Sequence, residues 1–266
     1  MSSQLLLVEP RGHRSREFLH LKARRCQLQD DVLGVLARRQ SYLLCIAPSE
    51  SAMTLLLDAL PNRPKGWDLR LLSFDGTTGD AHNLVHAHFR FVVSVGDGVR
   101  LLPTEELIEV LESDNREDLL IGGVVIPTRS EILLYRGSLE PITIPIEWFT
   151  ARSSLAKPDV AKFAITDYGQ TVRLGDYEAA TDALLYEFDE GYRSRAKKRK
   201  LNEDTSIGGA IRRLRLQKGL RQRDFPGVTA KEIARIERGE VKKPHQDTLR
   251  KIADKTGVSV DQIKTF

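Results

Sequence analysis

The sequence predicts a multi-domain protein with an α/β or α+β N-terminal body, a small α+β middle unit and an all-α C-terminal domain. Three observations predict this class. Strand-like and helix-like segments alternate at the start, short strand-like runs follow in the middle, and short capped helices succeed one another from Ser206. We expect domains at 1–118, 119–190 and 206–266, with a basic linker at 191–205. A chain of 266 residues is long enough for such a division.

The first domain carries the pattern of a strand–helix–strand unit. The apolar run at 41–47 predicts a buried strand, Ser49 is placed to cap the next helix, and residues 67–74 predict the following strand. This order at this spacing predicts a parallel pair of strands. Before it, apolar residues at helical spacing predict a helix within 16–40.

Two further predictions concern the end of this domain. The segment RFVVSVGDGVRLL, residues 90–102, predicts a strand, a tight turn and a second short strand. The segment PTEELIEVLES predicts a helix with Thr104 as its N-cap and acidic residues in its first turn.

The middle unit is predicted to be rich in strands. Three apolar runs, LLIGGVVIP, EILLYRG and PITIPIEWF, precede a hairpin-like YGQTVRLGD and a helical EAATDALLYEF. Trp148 and Phe149 are expected in a core or an interface. PITIPIEWF followed by FAITDYGQTVRL resembles a small uncharacterised bacterial α+β domain over residues of about 130–190. That resemblance implies no catalytic role.

The charges are distributed unevenly along the chain. From Arg193 to Phe266 there are 21 Lys and Arg against 9 Asp and Glu, whereas the preceding residues carry 20 basic and 28 acidic side chains. An acidic body with a basic C-terminal part favours a polyanion as partner of that part. The densest run, RSRAKKRK at 193–200, reads either as a basic arm that follows phosphates or as a tether, and its position next to the C-terminal domain favours the arm.

The C-terminal domain reads as a series of short amphipathic helices. The first ends at Gly219, the second starts at Gln222 and stops at Pro226 and Gly227 after about one turn, and the third, TAKEIARIERG, opens with Thr229 and Glu232 as a capping box. A fourth helix follows His245, and Ser259 with Gln262 forms a second capping box before the last turn.

The segments IRRLRLQKGLRQ, IARIERGE and TLRKIADKTGVSVDQI are similar to the helix-turn-helix family of the phage Cro and C1 repressors and the xenobiotic-response-element regulators. The similarity covers residues 206–266. It implies a bundle of five short helices whose third helix enters the DNA major groove. The sequence departs from the family in its second helix, which is about three residues short, so that Phe225 must replace the usual apolar anchor.

The resemblance implies the residues that would contact DNA. Bases would be reached from the exposed side of the third helix by Ala230, Lys231 and Arg235. Phosphates would be contacted by a second set of polar and basic residues. This second set is Gln222, Thr229, Arg238, Lys242 and Lys243. Glu237 is expected to form an internal ion pair rather than a DNA contact.

No other motif predicts chemistry. His82, His86 and His88 are interpreted as strand-surface or core histidines rather than metal ligands, and DGTTGD at 75–80 as a connecting loop rather than a phosphate site. Cys26 and Cys45 form no disulfide framework. We expect no catalytic residue, metal or cofactor, no membrane span and no secretory signal, and hence a cytoplasmic protein.

The sequence therefore predicts a sequence-specific DNA-binding transcriptional regulator, a homodimer and not an enzyme, whose body dimerises, binds a partner or senses a signal. An antitoxin-like or adaptor protein that binds a partner and autoregulates its operon is the alternative. A nucleotide sensor or enzyme tethered to DNA is a third hypothesis.

Overall fold

The computed structural model describes residues 4–12, 15–36, 42–60, 68–75, 80–95, 98–152, 157–202 and 204–265. The chain divides into two compact units, Met1–Glu190 and Gly191–Phe266. No helix in these described ranges is both long and apolar enough to cross a membrane.

A parallel sheet forms the first part of unit one. Its five strands lie in the order β2-β1-β3-β4-β5, and every neighbouring pair is parallel. The strands are β1 (Gln4–Val8), β2 (Arg24–Cys26), β3 (Leu43–Ala47), β4 (Leu69–Ser73) and β5 (Phe91–Ser94). The helices of the crossovers are α1 (Gln29–Leu36), α2 (Glu50–Ala59) and α3 (Asp80–His88). All residues of β3 and β4 are buried, as expected for strands in the centre of a parallel sheet.

The predicted strand–helix–strand unit is confirmed. β3 and β4 are parallel neighbours, and the Ser49 hydroxyl caps α2 by accepting from the Ala52 backbone N–H at 3.3 Å. The helix predicted within 16–40 is correct only for α1. Arg24–Cys26 forms strand β2 instead, because pairing with the edge of β1 outweighs the local helical spacing.

An antiparallel sheet follows in the order β6-β7-β8-β9, with strands Arg100–Leu101, Leu120–Ile126, Glu131–Arg136 and Pro141–Pro145. Both strands predicted within 90–102 are present as β5 and β6, but they do not pair as a hairpin, because they lie in different sheets. β6 pairs with Gly122 and Gly123 of β7. A Cβ atom on Gly122 would lie 2.5 Å from the Arg100 carbonyl oxygen, so the glycine allows this approach.

Helix α4 (Thr104–Glu112) lies where a helix was predicted, but its N-cap differs. Pro103 occupies the cap position and no side chain caps the helix, so the prediction of Thr104 as N-cap is wrong by one residue. Pro103 fits there because its backbone has no N–H to satisfy. The two acidic residues of the first turn, Glu105 and Glu106, lie as predicted.

The third sheet consists of β10 (Phe163–Thr166), β11 (Thr171–Leu174) and β12 (Tyr177–Ala180), all antiparallel. Helix α5 (Ile146–Arg152) follows β9 in the chain, and helix α6 (Thr181–Phe188) follows β12. The strand predicted at 141–149 ends at Pro145, and its second half is α5. Phe149 is fully buried and Trp148 nearly so, with its indole N–H donating to Glu187 at 2.8 Å, so both are core residues as predicted.

Arg70 links the parallel sheet to the antiparallel one. Its guanidinium donates to the Ser138 carbonyl at 2.6 Å and forms ion pairs with Asp68 and Glu140. The ring of Tyr42 lies 3.9 Å from the guanidinium carbon. The division of this unit after residue 118 stays a prediction, and both the Arg70 contacts and the β6–β7 pairing join the two sides of that boundary.

Unit two begins with a basic helix and continues with shorter helices. Most of the predicted linker 191–205 is helical and forms α7 (Glu190–Asn202). The later elements are α8 (Ile207–Gln217), a 3-10 turn at Gln222–Asp224, α9 (Ala230–Glu237), α10 (Gln246–Thr256) and α11 (Val260–Thr265).

Candidate nucleic-acid interface

The helices of residues 204–265 enclose a small apolar core. Ser206 caps α8 by accepting from the Gly209 N–H at 3.0 Å, which fixes where the first helix begins. Apolar side chains at helical spacing then point inward from each helix. The fully or nearly buried members of this core are Ala210, Ile211, Leu214, Phe225, Val228, Ile233, Ile236, Leu249, Ile252, Ala253 and Ile263.

The second helix of the module is as short as predicted. It is a single 3-10 turn, Gln222–Asp224, and Pro226 and Gly227 follow it. Gly227 has a φ of +70°, a conformation that glycine adopts without strain. Phe225 is 2% exposed and is therefore the apolar anchor of this segment. Lys251 of α10 donates to the Gly227 carbonyl at 3.1 Å, which ties the turn to the bundle.

α9 begins and ends at well-defined residues. The Thr229 hydroxyl accepts from the Glu232 N–H at 3.1 Å, so Thr229 is the N-cap as predicted. The Glu232 carboxylate, predicted to complete a capping box with Thr229, accepts instead from the Thr248 hydroxyl of α10 at 3.1 Å, so only the Thr229 half of that box forms. Gly239, with a φ of +74°, closes the helix. The second predicted capping box is confirmed, because the backbone N–H groups and side chains of Ser259 and Gln262 bond reciprocally at 2.7 and 3.1 Å.

The surface of α9 is divided into a buried face and a basic face. Ile233, Ile236 and Glu237 are buried. Basic side chains occupy positions i, i+4 and i+7 on the opposite face, where helical neighbours align. These exposed residues are Lys231, Arg235 and Arg238.

Ala230 and Thr229 are both exposed at the N-terminal end of α9, and Lys242 and Lys243 are exposed after its C-terminal end. The structure thus brings the predicted contact residues to α9 and its two flanks. Gln222 is half-buried on the 3-10 turn. The assignment of individual residues to bases or phosphates stays a prediction.

A buried carboxylate fixes the C-terminal turn of α9. Glu237 receives two hydrogen bonds from the Arg215 guanidinium of α8, at 2.6 and 2.9 Å, in a bidentate ion pair. The Gln222 amide donates to the same carboxylate at 2.8 Å, and Arg215 also donates to the Leu220 carbonyl at 3.0 Å. The predicted internal role of Glu237 is confirmed. The amide of Gln222, predicted to bond a phosphate, is engaged in this network.

α8 and α9 approach each other closely at Gly208. A Cβ atom at this position would lie 2.1 Å from the Ile236 carbonyl oxygen, far inside van der Waals contact. The absence of a side chain therefore lets the N-terminal turn of α8 pack against the last turn of α9. Together with the Arg215–Glu237 pair, this contact determines the orientation of the basic face.

Sequence reasoning missed one residue of this surface. Glu240 forms ion pairs with two of the predicted contact residues, Arg238 at 2.7 Å and Arg235 at 3.3 Å. All three side chains are about half exposed. The pairing depends on the left-handed turn at Gly239, where φ is +74°, so residue spacing alone did not reveal it.

The other candidate groups of the sequence lie in unit one. The histidines lie on helix α3 and not on a strand, so the prediction of strand-surface histidines is wrong. The rings of His82 and His86 lie one turn apart, with centroids 4.4 Å apart and planes tilted by 54°. Within the described ranges, no group of three or more His, Cys, Asp or Glu side chains is placed to hold a metal ion. Residues 76–79 of the predicted DGTTGD loop lie outside the described residues.

Burial raises the pKa of the Cys26 thiol to about 11, so the thiol stays protonated at neutral pH.

The short helices, the capped basic helix and its anchoring pair define a helix-turn-helix domain. The family described as HTH_3, helix-turn-helix, matches residues 211–263, within the segment predicted to resemble the Cro and C1 repressors. The predicted resemblance is therefore confirmed for this segment. A domain of this family indicates a DNA-binding protein of the transcription-regulator class. No curated protein and no solved structure gives a significant match to the chain.

Proposed function

We propose that the protein is a sequence-specific transcriptional regulator, not an enzyme, that acts in the cytoplasm as a homodimer. The observation that supports this proposal is the basic face of α9, on which Lys231, Arg235 and Arg238 align opposite the buried Glu237 anchor. A helix held in this way can enter the major groove as one rigid element. Base edges would be read from its exposed first turn and from Arg235.

The phosphate contacts would flank α9 on both sides. Thr229 lies before the helix, and Arg238, Lys242 and Lys243 lie at its end. Such contacts fix the register of a protein on the duplex without carrying sequence information. In a dimer, two copies of α9 would bind half-sites about one helical turn apart, so the operator would be a palindrome.

The proposal is tested by selecting preferred sequences from a random duplex library with the intact protein, and then measuring affinity for the selected site and for an unrelated duplex. Lys231→Ala and Arg235→Ala are each expected to cost about 1–3 kcal/mol on the selected site and to relax preference at one base position. Lys157→Ala removes an exposed lysine from unit one and serves as the matched control.

Lys242→Ala and Lys243→Ala are expected to weaken binding to all sequences alike and to reduce the salt slope by about 1 each. A library that yields no preferred sequence would refute the proposal of specific recognition. Unchanged preference in both the Lys231 and the Arg235 variants would refute the assignment of α9 as the reading helix.

We further propose that residues 1–190 mediate dimerisation, partner binding or the sensing of a signal. This proposal rests on their separate compact fold. Light scattering of the intact protein and of a fragment of residues 1–190 tests the dimerisation role. A fragment that is monomeric although the intact protein is a dimer would contradict this role.

A further inference from the structure

α7 has two different faces. On one face, Tyr192 is 8% exposed, Arg195 and Ala196 are half-buried, and the Arg199 guanidinium lies 5.6 Å from the centre of the Tyr192 ring. Tyr192, Arg195 and Ala196 recur at the i, i+3 and i+4 spacing of a covered helical face, whereas Arg199 is exposed at its end.

A second face of α7, roughly 120° round the helix from the first, is a stripe of exposed cations. Arg193, Lys197 and Lys200 also follow i, i+4 and i+7 spacing, and all three are exposed. At 1.5 Å per residue, the stripe extends about 10 Å along the helix. Lys198 is exposed on a third side of the helix.

The charges of this stripe are poorly compensated within the helix. Glu190 is the one acidic residue of α7 and lies in its first turn. Like charges at i and i+4, such as those of Arg193 and Lys197, destabilise a helix. A polyanion placed along the stripe removes this repulsion, and the helix sets the spacing of the three positions.

We infer that Arg193, Lys197 and Lys200 bind backbone phosphates of the same DNA duplex that α9 binds, as a second contact that is independent of sequence. The inference rests on the proposed function. Duplex DNA carries about one negative charge per 1.7 Å of axis, so a stripe of this length faces several phosphates. The stripe presents no aromatic ring on which a base could stack, because Tyr192 lies on the covered face, and this favours the duplex backbone over a single strand.

The experiment measures how the association constant of the full chain depends on salt, from about 50 to 300 mM, for the selected site and for an unrelated duplex. The variant R193Q/K197Q/K200Q removes the stripe with residues of similar helix propensity. We expect the magnitude of the slope of log K against log salt to fall by about 2 to 3, and both affinities to fall about 10- to 100-fold at about 150 mM salt. The preference for the selected site over the unrelated duplex should not change.

A matched control removes three exposed cations from unit one, in the variant R129Q/K157Q/R173Q. This control has the same net charge as the stripe variant. Its slope should stay within about 0.5 of the wild-type slope. The variant R193K/K197R/K200R keeps the cations and should restore the slope. Circular dichroism of each variant establishes that its helices are retained.

An unchanged slope in the stripe variant, or an equal change in the control, would overturn the inference while sequence-specific binding remained. Weakened binding to an RNA duplex with unchanged binding to DNA would assign the stripe to RNA and overturn it as well. If the stripe variant has a smaller slope than the wild type but the wild type shows no sequence preference, the proposed regulator function fails and the phosphate contact stands.

Discussion

Glu240 holds two of the proposed DNA-contact arginines in the unbound protein. The guanidinium of Arg238, with that of Arg235, keeps the pKa of Glu240 below its ordinary value, so the carboxylate stays ionised at neutral pH. A phosphate that approaches either arginine must displace this carboxylate and is repelled by its charge. We therefore expect Glu240 to limit the affinity of the basic face of α9 for DNA.

We expect Glu240→Gln to tighten binding to both selected and unrelated duplexes by roughly two- to fivefold, because the charges of both arginines become available to phosphates. Fluorescence anisotropy titrations measure this change. Glu178→Gln, an exposed substitution in unit one, changes net charge equally and should have little effect. Weaker binding by Glu240→Gln would instead mean that the carboxylate holds the two arginines in the orientation in which they contact phosphates.

Some residues of the site were predictable because their chemistry is local. Thr229, Ser259 and Gln262 cap helices through atoms three residues away, and such spacings are visible in the sequence. The bond between Gln222 and Glu237 joins residues from different elements, and the pairing of Glu240 with Arg235 depends on how the chain turns at Gly239. Spacing alone does not contain this information.

At the scale of elements, α8 and α9 are joined by the buried Arg215–Glu237 pair. The Glu237 side chain is 5% exposed and that of Arg215 is 11% exposed. We expect Glu237→Ala to lower the free energy of unfolding of the C-terminal domain by about 3 kcal/mol, because it leaves a buried guanidinium without its carboxylate. Amide hydrogen exchange of residues 204–265 in the full chain measures this loss.

The control for that substitution is Glu232→Ala, which removes an exposed carboxylate from the same helix and should cost at most about 1 kcal/mol. Equal costs for the two variants would contradict the anchoring role of Glu237. The double variant Arg215→Ala/Glu237→Ala should be less destabilised than the sum of the single variants, because neither charge is then left alone.

The close packing of α8 on α9 gives a second prediction at this scale. Gly208→Ala is expected to destabilise the domain by about 1–3 kcal/mol, since the added methyl group meets the Ile236 carbonyl and the helices must separate. Gly34→Ala on α1 is the matched control. No atom lies within 4 Å of its added Cβ, so it should stabilise unit one by up to about 1 kcal/mol through helix propensity. A neutral Gly208→Ala would show that α8 can shift freely.

Elements in the body were predictable to different degrees. The apolar runs of β3 and β4 and the cap of α2 are local signals and identified those elements correctly. The partner of β6 was not predictable. This two-residue strand pairs with Gly122 and Gly123 of β7, and helix α4 separates the two strands in the sequence. In the same way, a parallel edge partner converts Arg24–Cys26 from predicted helix to strand.

At the scale of the whole molecule, the two units have separate hydrophobic cores. One core lies between the parallel sheet and its helices, and the other lies within residues 204–265. The uneven distribution of charge in the sequence follows the same division, and for that reason it was a reliable guide to the basic C-terminal part.

We expect a fragment of residues 1–190 to fold without the C-terminal unit and to lose DNA binding completely. Circular dichroism should show helix and strand with a cooperative thermal transition, because the buried β3 and β4 strands keep all their partners. Titration with the selected duplex should give no binding up to concentrations at which the intact protein saturates. Binding by the fragment would contradict the assignment of DNA recognition to unit two.

β1 is an interior strand of the parallel sheet, next to the edge strand β2, and its position constrains when the sheet can form during synthesis. β1 lies between β2 and β3, so its backbone hydrogen bonds are incomplete until β3 has left the ribosome. Non-local pairing of this kind is slow, whereas short helices such as α8 to α11 form from neighbouring residues. The C-terminal unit follows this sheet in the chain and is built from short helices, so we expect the parallel sheet to fold more slowly than the C-terminal unit.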